Sequence, residues 1–148
     1  MSRRAVTGGR GGQSIIEFCL VAFMTLIMLL FVVEMGRALL VFTTVANAAR
    51  AGVRYAIVHG SSRAVGAATD DASGPGANPA QVLTVVKDFA SAGLLTISLL
   101  VINVTYPGAS NAPGQSVNIT VVYPYNPLTN YFSKTLRLGS ASQGIIIF

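Results

Sequence analysis

Side chains able to do chemistry are scarce in this chain, which has five acids, one histidine and one cysteine in 148 residues. A hydrolytic or transfer site needs a nucleophile within reach of a base, and a metal site needs several His, Cys, Asp or Glu gathered together. His59 and Cys19 are each single. A histidine-based triad, an intramolecular disulfide or a His/Cys metal site therefore has nothing to build on. Asp70 and Asp71 are adjacent, but their Gly/Ser/Ala-rich surroundings describe a loop in which carboxylates are simply solvated. No catalytic residue, metal or cofactor is expected. Glu17 is different, because it sits at the mouth of an apolar run, "GGQSIIEFCLVAFMTLIMLLFVV" from Gly11 to Val33. An acid at the centre of a membrane helix costs about 2.5–3.5 kcal/mol on insertion scales, and less near an interface. Glu17 therefore calls for a cationic partner or for access to water.

The elements that hold Glu17 follow from hydropathy. Hydrophobic residues make up 52% of the chain and charged ones 10%, against roughly 25% charged in a typical soluble domain. From Phe18 to Val33 no residue is charged and Thr25 is the one appreciably polar side chain. With Ile15 and Ile16 the stretch is about 19 residues, which at about 1.5 Å each nearly matches a hydrocarbon core of about 30 Å. A removable signal has a shorter core, roughly 7–15 residues, so this one is expected to stay as a transmembrane helix over residues 13–34. Cys19 lies within it as a packing residue. The net charge of +5 does not describe a nucleic-acid surface: Arg3, Arg4 and Arg10 lie in the leader, residues 1–12, and the other cations are scattered. A basic leader ahead of an apolar span favours a cytoplasmic N-terminus.

Beyond Gly36 the helix is expected to continue as an amphipathic segment over residues 35–59. Met35, Leu39, Phe42, Val45, Ala49, Val53 and Ala56 recur every three or four positions, opposite Thr43, Asn47, Arg50 and Arg54. Glu34 and Arg37 are three apart and can pair at the membrane surface. No proline interrupts Gln13 to His59, and Gly60 suits the stop. Residues 60–148 read as an extracytoplasmic α+β domain. Gly60 to Asn78 is loop material. In "NPAQVLTVVKDFASAG", Asn78 is a cap, Pro79 a first position and Gly93 an end, with Val82, Val85, Val86 and Phe89 as the buried stripe. Two β-rich stretches follow, joined by the hairpin loop "GASNAPG". Leu100, Ile102, Val104 and Tyr106 share one face of the first; Val117, Ile119, Val121 and Tyr123 point inward in the second, with Asn118 and Thr120 outward. A third strand runs through "TLRLGSASQGIIIF", interrupted around Gly139. The fold class is thus α+β: a long N-terminal helix, a short second helix and a small antiparallel meander. The meander is too small to bury both faces, so the amphipathic half of the first helix is its expected cover.

Taken in order, Gly12-Gln13-Ser14, Glu17-Phe18, the apolar run, Glu34-Met35-Gly36-Arg37 and Ala48 to Tyr55 resemble the TadE-like proteins of the tight-adherence (Tad, or Flp-type) pilus, within the type IV pilin superfamily. The resemblance covers Gly12 to about Gly60. Many such proteins carry a proline early in the apolar run where this chain has Phe23, so a straighter helix is expected here. The resemblance implies a minor pilin or pseudopilin, cut by a membrane prepilin peptidase between Gly12 and Gln13. Flexible glycines from Gly8 to Gly12 suit a protease cleft. It also implies that Glu17, then the fifth residue, pairs with the cationic N-terminus of a neighbouring subunit and sets register. An α-amine is mostly protonated at neutral pH, and one axial stagger brings it to the carboxylate. The implied partners are the membrane, the peptidase and other pilin subunits, with no nucleic acid. The implied location is the inner (cytoplasmic) membrane, crossed once, or the pilus itself. The competing reading is a signal-anchored extracytoplasmic binding module that never joins a pilus and needs neither the cut nor Glu17.

Overall fold

The first proline is Pro75, so nothing before it removes a backbone donor or forces a kink. Accordingly, one uninterrupted helix, α1 (Arg10–Val58), runs for 49 residues, about 73 Å at 1.5 Å per residue. The computed structural model describes residues 10–62, 74, 78–93, 95–128 and 135–148. Arg3, Arg4, Asp70 and Asp71, and most of the expected loop between Gly60 and Asn78, lie outside them. The remaining elements are α2 (Ala80–Ala92), a single 3-10 turn (Ile97–Leu99), β1 (Val101–Thr105), β2 (Ser116–Tyr125) and β3 (Leu136–Ile145). This is the expected α+β class.

The chain divides into two compact units, Met1–Gly36 and Arg37–Phe148. In the first, every residue from Gly12 to Val33 is exposed. Thr25 Oγ1 donates to the Val21 carbonyl oxygen at 2.8 Å, so the one hydroxyl of the apolar run is satisfied within the helix. α1 is long and apolar enough to cross a membrane. Burying a large apolar side chain is worth about 1.5–3 kcal/mol, so this row leaves on the order of tens of kcal/mol unclaimed in water.

The second unit folds around the outer half of α1. The sheet is antiparallel in the order β1-β2-β3, with Val104 opposite Ile119 and Ile119 opposite Ser142. Val117, Ile119 and Val121 of β2 and Val104 of β1 are fully buried, in one cluster with Val45, Ala48, Ala49, Val53 and Ala56 of α1. Val82, Val86 and Ala90 of α2 close the same core. The outer half of α1 therefore covers the meander, as its periodicity demands.

Four local expectations need correction. The buried stripe of α1 begins with the half-buried Val41 and continues through Val45, whereas Met35, Leu39 and Phe42 are exposed. The sequence stripe followed these apolar positions onto a neighbouring face that the described residues leave exposed. In α2 the buried line is Val82, Val86 and Ala90, with Val85 half-buried and Phe89 exposed. Asn78 does not cap α2, whose N-cap is Pro79 with no side-chain cap bond. Instead Asn78 takes a left-handed φ of 52°. Its Oδ1 accepts from Val104 N–H at 2.7 Å, and its own N–H donates to the Val104 oxygen at 3.3 Å. Asn78 thus imitates a strand partner for β1. Finally, β3 is continuous through Gly139, which pairs with Val122. A Cβ at Gly139 would stand 3.2 Å from Val122 Cγ2, so the glycine keeps the strand close rather than breaking it.

The strand that bears Pro124 is central, which would cost a ladder bond inside a sheet. β1 pairs with β2 only from Asn118 to Val122, so Pro124 lies past the end of β1 and gives up no bond on that side.

Candidate functional site

The site-bearing residues divide between the two units. In the first, Gly12, Gln13 and Glu17 lie in the opening turns of α1, all exposed. A helix leaves its first four N–H groups without intrahelical partners, so the first turn opens at little cost. The expected flexible stretch reaches less far than its glycines implied: α1 starts at Arg10, and Gly11 and Gly12 are already helical. Among the described residues nothing lies within 4 Å of where a Gly12 side chain would be. Gln13 and Glu17 are four apart, about 6 Å along the axis, and share a face. Glu17 is thus one turn from the bond whose cleavage would create a new amine.

In the second unit, Arg37 sets its guanidinium over the ring of Tyr125, 5.6 Å from the centroid. That is cation–π range, and Tyr125 is buried at the end of β2. The pairing of Arg37 with Glu34 stays a sequence expectation. Tyr125 was missed by pattern reading, since nothing in a strand-terminal tyrosine names an arginine on a distant helix. Among the described residues the neighbouring Gly36 has nothing within 4 Å of its missing Cβ, so no close approach there accounts for its size.

The stretch from Ala48 to Tyr55 splits by face. Ala48, Ala49, Gly52 and Val53 are buried, and Arg50 and Arg54 are exposed. Arg50 donates to Asn47 Oδ1 at 3.2 Å on the solvated side. The small residues are required by distance. A Cβ on Gly52 would come 2.5 Å from Val86 Cγ2 and 3.1 Å from Ile119 Cδ1, so α2 and the sheet both press on this glycine. On β3, a Cβ on Gly144 would stand 2.5 Å from Ile57 Cδ1 and 2.6 Å from Val53 Cγ1. The helix meets the sheet through glycine on both sides. Tyr55 stacks on His59 with ring centroids 3.8 Å apart, and His59 Nδ1 lies 2.8 Å from the Tyr55 oxygen. The single histidine belongs to the end of α1, where Ile147 N–H also donates to the Ile57 oxygen at 3.0 Å.

These arrangements position helices and charges, and among the described residues no three His, Cys, Asp or Glu gather as a metal group. Cys19 is exposed on α1. The family described as "TadE-like protein" matches residues 12–54. No curated protein and no solved structure matches the chain. From Gly12, through the exposed apolar run, to the stretch that is small inside and basic outside, residues 12–54 are similar to the TadE-like family that the ordered motifs resemble.

Proposed function

We propose that this chain is a minor pilin or pseudopilin of the Tad (Flp-type) pilus, which primes or caps assembly after a prepilin peptidase cuts between Gly12 and Gln13. The observation that carries the reading is the TadE-like match over residues 12–54, laid on a helix whose apolar run is wholly exposed. Two observations support the reading: residues 12–54 are similar to a family tied to the Tad pilus, and one helix has the length and composition to cross a membrane. The role within the pilus is our reading. A unit from Arg37 to Phe148 is far larger than the short shaft pilins of this system need, which favours a priming, tip or base position over the shaft.

Processing would remove Arg3, Arg4 and Arg10 and with them the basic anchor on the cytoplasmic side. It would leave Glu17 near the new helix start, where the macrodipole also favours a negative charge. A neighbour's amine would complete the pair, and only one stagger of the two helices allows it. The test is Glu17→Gln in a piliated host. Insertion and cleavage should persist while incorporation or piliation falls; unchanged piliation removes the register role. The rival reading, a signal-anchored module outside any pilus, predicts no effect of this change.

A further inference from the structure

The backbone of β3 has one paired side and one open side. Ile146 N–H donates to the Gln115 oxygen at 2.9 Å, and the Ile146 oxygen accepts from Gly114 N–H at 2.8 Å, both toward β2. Backbone groups alternate in direction along an antiparallel strand, so Leu138, Ser140, Ser142 and Gly144 also turn theirs to β2. Those of Arg137, Gly139, Ala141, Gln143 and Ile145 point to the far edge, where the described residues supply no strand. The outer edge of β1 differs: that strand has five residues, and Asn78 bonds both backbone groups of Val104. Long edges are normally blunted by charges, proline or a bulge. β3 has ten residues in unbroken register with β2, no proline, and one charge, Arg137.

An apolar groove runs beside that edge. Gly144 lies against Val53 and Ile57 of α1, so the side chains of Leu136 and Leu138, at even positions too, face the helix. Leu136 pairs with Tyr125, which lies under Arg37, so β3 follows the outer half of α1. At helical spacing, Phe42 and Ala46 share the face of Val53 and Ile57, with Leu39 one turn earlier. The other side of α1 meets α2 through Thr44 and Gly52. Phe42 is about 7.5 Å past Arg37 along the helix, and Leu138 about 7 Å past Leu136 along the strand. The two therefore come level. Leu39, Phe42 and Leu136 are exposed, and Ala46 and Leu138 are half-buried.

We propose that this edge and groove receive an extended segment of a second protein, added antiparallel to β3 as a fourth strand. Its alternate side chains are apolar and cover Leu39, Phe42 and Leu138. It carries an acid opposite Arg137, because residues 38–46 and 136–145 hold no other charge. A second copy of this chain fits worse. Its β1 edge is taken by Asn78. Its β3, paired about Ser140, would set Ser142 and Gly144 opposite Leu138 and Leu136 and bring Phe42 no apolar cover. The inference is independent of leader removal and of Glu17.

The probe is a capped synthetic peptide of the length of β3, alternating threonine and valine, with glutamate next to its C-terminus. It is titrated into the full-length protein in detergent while amide hydrogen exchange is followed. In the protein alone, the amides of Gly139, Ala141 and Gln143 should exchange fast and those of Ser140 and Ser142 slowly. Peptide should slow the first group and leave the second unchanged. N-methylation of the threonine amides, which face β3, should weaken binding at least tenfold, whereas methylation of the valine amides should not. Ala141→Pro removes only an outward N–H, so it should abolish binding with little change in Tm. Phe42→Ser should weaken binding, and Arg137→Glu should favour a peptide with lysine in place of glutamate. No binding up to about 1 mM, or binding indifferent to the methylated threonines, overturns the proposal. Amides at 139, 141 and 143 already protected in the protein alone overturn it too. Protection that dilution releases would assign the edge to a second copy; protection that persists would assign it to this chain.

Discussion

Gly52 of α1 and Val86 of α2 meet so closely that a Cβ on the glycine would stand 2.5 Å from Val86 Cγ2. Val86 is fully buried and β-branched, so it has little freedom to turn aside. Gly52→Leu should cost about 1–3 kcal/mol through overpacking, read as a drop of several degrees in Tm in detergent. Gly52→Ala gains helix propensity and should lose less. Val86→Ala should recover part of the loss in the Gly52→Leu background, which a general folding defect would not allow.

Arg37 over Tyr125 should be worth about 0.5–2 kcal/mol, since one partner is buried and the other half-exposed. Arg37→Gln and Tyr125→Leu should each destabilise the second unit, and the double variant by less than their sum. Full additivity in denaturant titrations would remove the interaction. Arg37→Lys keeps the charge but not the planar face, and should recover only part.

Asn78 holds β1 from outside the sheet, through its backbone and its side chain to Val104. Asn78→Gly tolerates the left-handed φ and keeps the backbone bond, so it should lose about 1 kcal/mol. Asn78→Ala should lose a further 1–2 kcal/mol or so, because a Cβ is disfavoured at positive φ. Hydrogen exchange at the Val104 amide should quicken in both, and more in the alanine variant.

The fold was legible wherever a period repeats. Val117, Ile119 and Val121 alternate into the core as β2 requires, and the outer half of α1 covers the sheet. What failed was phase and punctuation. Met35, Leu39 and Phe42 keep helical spacing yet sit on the uncovered face, because a nearly continuous apolar helix offers more than one stripe. Asn78 has the chemistry of a cap and spends it on Val104 instead. Gly139 was read as a break because glycine weakens strands in general, whereas Val122 packs against it here. For the site, the order of motifs names Gly12, Gln13 and Glu17, whose roles are part of the proposal. The contact of Arg37 with Tyr125 could not be read there, since eighty-eight positions separate them (125 − 37).

The most direct test of the assembly account is the intact mass of the protein from its native envelope. It should begin at Gln13, the first twelve residues gone, so that a free amine exists one turn from Glu17. Protein that still carries Met1 and the leader could supply no such amine. That result would contradict the pilin reading and leave a tethered domain in its place.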